Sequence, residues 1–185
     1  MTEQSNKIED VKINLEEVQL KFLRLLEEIP DIEWDRKLYG EGWTIKQELV
    51  HIVQVLQVIP IGIKHARSGG KRSLLGFVPA GIRGWVNGHI IVPRKAKKET
   101  RASIARAYRE AHNELIRILD QLTEADLSKG MPYPRKYRTV EQMAYRPVEH
   151  FDEHEAHIRQ LLGIGKKKTV ATEDYMIDVS LKNPK

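Results

Sequence analysis

From Ile8 to Ile29 the apolar residues Ile8, Val11, Leu15, Val18, Phe22, Leu25 and Ile29 recur in alternating steps of three and four. That spacing places them on one face of a helix with a polar opposite side, and Pro30 ends it. A second helix starts at Thr44, an N-cap whose capping-box partner is Gln47. Its buried arc is Ile45, Leu49, Ile52, Val53, Leu56 and Ile59. Pro60 and Gly62 should kink or weaken it, and Ser68-Gly69-Gly70 closes it. A third helix is expected from about Glu99 to Gln121, burying Ile104, Tyr108, Ala111, Leu115, Ile118 and Leu122. A fourth runs from its cap at Thr139 to Leu162, with Val140, Met143, Val148, Phe151, Ile158 and Leu161 inward. Pro147 should bend it, and Gly163 and Gly165 stop it.

The segments between differ in kind. Residues 30–43 are rich in turn formers, and MPYPRKYR, with two prolines two apart, reads as a loop. From Ser68 to Lys98 six glycines and two prolines break any long period, leaving at most a short helix around Ile82–Asn87. A connection of that length inside one domain is usually functional or mobile. Four amphipathic helices predict an all-α protein, a four-helix bundle over residues 1–165 with a long insert between helices two and three. The insert is long enough to cross the bundle instead of making a tight hairpin. The stretch 166–185 lacks a helical pattern and is expected to be a surface tail.

Composition narrows the chemistry. The absence of cysteine removes disulfides, thiolate metal sites, iron–sulfur clusters and a cysteine nucleophile, and fits a cytoplasmic protein. The polar, acidic opening is unlike a secretory leader. No uninterrupted apolar run approaches the roughly 20 residues of a membrane helix, so no membrane partner is expected. The formal charge of +5 is too small to imply nucleic acid by itself.

The histidines are more informative. His150 and His154 are four apart on the fourth helix, one above the other. Stepping by three or four from them reaches Met143, Pro147, Ile158 and Leu161, so both rings face the interior. Buried imidazoles without partners cost about 1–3 kcal/mol each. A metal ion would satisfy both, and so would hydrogen bonds to Tyr and Glu side chains. His51, at the edge of the second helix's apolar arc, could supply a third nitrogen. Three protein ligands with an open position suit a catalytic divalent ion. Glu153 lies about a turn from the pair and could orient an imidazole or accept a proton.

At these residues the chain resembles the DinB-like family, including its YfiT group. GWTIKQELVHI is similar to the opening of that family's second helix, where Gly-Trp-Ser/Thr precedes a histidine. His150-Phe-Asp-Glu-His154-Glu-Ala-His157 resembles its last-helix motif. The resemblance covers about Ile8 to Leu162. It implies a metal triad of His51, His150 and His154, with His157 behind it, and a divalent metal, commonly zinc or nickel. It also implies a bundle that is often a homodimer, acting on a small molecule, possibly a thiol, as a hydrolase or thiol-dependent S-transferase.

One segment falls outside that resemblance. Between Lys64 and Lys98 there are nine Lys and Arg and no Asp or Glu, so the chain's whole positive excess is local. A solvated loop, an anion site using Arg72 or Arg83, and a nucleic-acid contact compete as readings, in that order. Phe77, Ile82, Trp85 and Ile90–Val92 make the segment too apolar for a simple phosphate-binding arm, so Trp85 is expected to be docked and buried. The competing view of the whole protein is a non-catalytic bundle whose basic loop binds a partner or nucleic acid.

Overall fold

A computed structural model describes residues 6–38, 42–70, 86–132 and 137–163. The expected helices are present: α1 (Lys7–Glu28), α2 (Ile45–Arg67), α4 (Arg101–Leu119) and α6 (Val140–Leu162). Two short helices, α3 (Val92–Ala96) and α5 (Glu124–Leu127), fall between them. Caps set the starts. Thr44 with Gln47, Thr100 with Ser103 and Thr139 with Gln142 each form reciprocal capping boxes, satisfying backbone N–H groups that a helix start leaves unpaired. Gly163, at φ +65°, ends α6 in the left-handed conformation that glycine adopts without strain. Pro60 and Pro147 sit inside α2 and α6, and both helices run past them.

The periodic apolar faces are the core. Phe22 of α1 stacks on Tyr108 of α4 with ring centroids 4.0 Å apart and meets Phe151 of α6 edge-on at 6.1 Å. α1 packs against α4 and α6, and α2 packs against the same two helices. α1 and α2 therefore occupy opposite corners, as do α4 and α6. The long insert joins the neighbouring corners of α2 and α4, so it has no need to cross the bundle. The shorter first and third connections span the diagonals instead. Among the described helices α2 is long and apolar enough to pass for a membrane span, but half of that stretch is buried, against its two neighbours in the bundle.

One detail departs from the sequence reading. The MPYPRKYR region is flanked by an antiparallel pair, β1 (Gly130–Pro132) with β2 (Tyr137–Thr139). Its strand β1 lies against the end of α2, where a Cβ on Gly70 (φ +55°) would sit 2.6 Å from the Gly130 carbonyl oxygen. Of the short helix expected around Ile82–Asn87 only Val86 and Asn87 fall within the described residues, and from there a π-helical turn, Asn87–Ile91, leads directly into α3. Residues 71–85, including Arg72, Arg83 and Trp85, and the stretch 164–185 lie outside the described residues.

Candidate metal centre

α2 and α6 pack side by side, and the histidines meet between them. Nε2 of His150 lies 3.2 Å from Nε2 of His51 and 3.1 Å from Nε2 of His154. The three residues come from positions 99 apart in sequence or more, apart from the helical pair itself. His150 is 6% exposed, and the other two are partly covered. The Trp43 indole packs edge-on against His51, with centroids 4.7 Å apart. Its Nε1–H donates to the Gly88 carbonyl at 2.8 Å. The π-helical turn is thereby fastened beside the histidine cluster.

Glu48, one turn before His51 on α2, is only 7% exposed. His154 Nδ1–H donates to its carboxylate at 2.6 Å. An imidazole that keeps its proton on Nδ1 presents a lone pair at Nε2, so this bond aims the His154 lone pair at the other two rings. The two remaining histidines have no comparable support among the described residues: Nδ1 of His51 and Nδ1 of His150 are both buried without a partner.

Electrostatics keeps these rings neutral. Burial, then the neighbouring His154, pushes His51 down to about 4. Burial, then His154 and His51, pushes His150 down to about 3. The Arg146 charge acts in the same direction on both. Neutral imidazoles with converging nitrogens cannot satisfy one another fully. A single Nε2–H can be given to one neighbour only, while the remaining lone pairs face each other. A divalent cation at the meeting point would take all three. Ligands about 2.0–2.1 Å from such an ion, at angles between a right angle and a tetrahedral one, are about 2.9–3.4 Å apart. The His150 separations of 3.1 and 3.2 Å fall within that range, and the ligand atoms of His51 and His154 lie within 4.8 Å of each other, close enough for the three to share one ion.

The structure thus brings His51, His150 and His154 together. Glu153 stands at the rim, 56% exposed, and its carboxylate is held by Arg146 through two contacts of 3.1 Å. That bond keeps its pKa below the usual carboxylate range. His157 is exposed, with a ring nitrogen within 4.8 Å of Glu48 and His154 ligand atoms. Sequence reasoning missed Glu48 and the Trp43–Gly88 tether. The spacing Glu48, His51 on one helix, three apart, was the available signal for the first. Nothing in the chain pointed to the second.

Comparison with known proteins agrees with this architecture. A sequence model of the DinB superfamily matches residues 14–158. No functionally curated protein matches the chain. Among solved structures, YfiT from Bacillus subtilis superimposes with a TM-score of 0.68 at 20% identity, over 88% of this chain and 91% of that one. It is described as a probable metal-dependent hydrolase with an unusual four-helix bundle topology. An uncharacterised protein from Clostridium difficile 630 gives a TM-score of 0.67 at 15% identity, covering 88% and 99% of the two chains. A Streptococcus pneumoniae protein gives 0.60 at 18% identity, covering 89% and 95%.

Proposed function

The chain belongs to the DinB superfamily, and on that premise we propose that it is a divalent-metal-dependent enzyme acting on a small molecule. The ion, zinc or nickel, is held by His51, His150 and His154. The observation that carries this reading is the convergence of three histidine side chains from two helices on one place, with Nε2 of His150 3.2 Å from that of His51 and 3.1 Å from that of His154. The reaction is a hydrolysis, in keeping with the description of the similar YfiT as a probable metal-dependent hydrolase, or else a thiol-dependent S-transfer.

When bound, a divalent ion in a set of three neutral ligands supplies Lewis acidity with its charge undiminished. The remaining work falls to the chain. Glu48 fixes the His154 tautomer and places one negative charge behind the site. The Trp43 indole walls the His51 side and limits the approach of water. Glu153, oriented by Arg146, is the proposed proton acceptor at the rim.

The test is metal content. Protein purified without a histidine tag should carry close to one divalent ion per chain, measured by mass spectrometry of the metals. His150→Ala should lose it while keeping its helical circular dichroism. Wild-type protein that stays metal-free after incubation with zinc or nickel and desalting would refute the reading.

A further inference from the structure

Four of the nine cations between Lys64 and Lys98, namely Arg94, Lys95, Lys97 and Lys98, line one open hollow of about 650 Å³ together with Ile90 and Ile91. We propose that this hollow binds a small amphiphilic anion: a carboxylate or phosphate carried on an apolar stem.

The hollow is held in place. Val92 and Ala96 are buried, and α3 packs on α2. Lys95 Nζ donates to Gln57 Oε1 of α2 at 3.0 Å. The cations are therefore carried on a docked helix. Their charge also lacks an ion-pair partner at contact distance among the described residues. Among the described residues no ion pair is formed by Arg94, Lys97 or Lys98, and the adjacent acid, Glu99, accepts from Ser103 Oγ. Lys97 and Lys98 directly precede α4, whose first turn carries no acidic residue, whereas those of α1, α2 and α6 do. The positive helix end adds to the cations there. Like charges sharing a concave surface raise its potential and favour an anion.

The floor is what selects among anions. Ile91 is 47% exposed beside these charges, and the lysine stems extend the apolar surface. Covering exposed isoleucine is favourable in proportion to the apolar area removed from water, a gain that an inorganic anion cannot make. A nucleic-acid backbone would meet the charges and leave the isoleucines wet. A second copy across a twofold axis would set the cations against themselves. An anionic head on an apolar stem meets both features, and the volume lies within the usual range for small-ligand sites.

The proposal is independent of the metal centre. Decanoate, kept below its micelle concentration, is titrated into the full-length protein, with backbone amide shifts of residues 86–98 as readout. Decanol and inorganic phosphate are the controls. Decanoate should saturate and bind at least about tenfold more tightly than either control, a difference of about 1.4 kcal/mol. A Lys97→Glu, Lys98→Glu double variant should lose about tenfold. Ile91→Ser should weaken decanoate while leaving phosphate unchanged, and chelator-treated protein should bind decanoate as before. Equal affinity for phosphate would reduce the hollow to a simple anion patch and overturn the proposal. So would equal affinity for decanol, tighter binding of duplex DNA at the same residues, or indifference to Ile91→Ser.

Discussion

Glu48 is a carboxylate almost fully removed from water, opposite a single imidazole nitrogen. Groups that orient a ligating histidine typically change metal affinity by about 10–100-fold when altered. Glu48→Ala should therefore weaken zinc binding by about that factor, read by competition with a chromophoric chelator. Glu48→Gln keeps an acceptor oxygen and should lose less. In metal-free protein the ¹⁵N shifts of His154 should report a proton on Nδ1, and Glu48→Ala should shift that ring toward a mixture. At this scale the sequence was half legible. The pair four apart on a buried stripe, with a third histidine on another helix, makes the nitrogen cluster legible in the chain itself. Glu48 was hidden because an acid in the first turn of a helix ordinarily serves the helix dipole in solvent. Only the packing of α6 over α2 removes it from water, and one helix's pattern does not reveal its neighbour.

At the scale of elements, each main helix was readable because its burial period and caps agree. The partners of each helix were not. A stripe shows that a helix packs, and it is silent on which helix it packs against, so the diagonal placement of α1 and α2 had no sequence signature. The β1–β2 hairpin escaped for another reason: three-residue strands flanking prolines lack the alternation that marks a strand. Its seat against α2 depends on Gly70, where both a positive φ and a 2.6 Å approach exclude a side chain. Gly70→Ala should destabilise the protein by about 1–3 kcal/mol, measured by urea denaturation. Gly69→Ala, with positive φ but open space around it, should cost less.

For the molecule as a whole, the buried histidines make stability depend on pH. His51 at about 4 and His150 at about 3 lie below the ordinary value of about 6.5 that they regain on unfolding. Burial holds His112 down as well. The unfolded chain thus takes up these protons first. Their contribution is complete above about pH 6.5 and is lost as the pH falls from there toward about 4 for His51 and about 3 for His150, by at most about 1.4 kcal/mol per pH unit for each histidine. Metal-free protein should show a flat urea midpoint between pH 7 and 8 and a falling one below pH 6. A His51→Asn, His150→Asn variant should fall less steeply. Added zinc should raise the melting temperature at pH 7.5, and that gain should shrink below pH 6 as protons compete for the same nitrogens.

The meeting of α2 with α6 also has a consequence in time. His51 and His150 lie 99 residues apart and Glu48 and His154 lie 106 apart, so the nitrogen cluster closes a large loop of chain. Such long-range contacts carry a loop-closure cost and tend to be late events in folding. During synthesis His150 and His154 emerge only after α1, α2 and α4 have been made. Competence to capture a cation is therefore acquired when α6 docks on α2, and not before. In a refolding experiment started from urea with a fluorescent zinc indicator present, metal uptake should lag the recovery of helical signal and coincide with the last tertiary phase, making the ion a reporter of completed assembly.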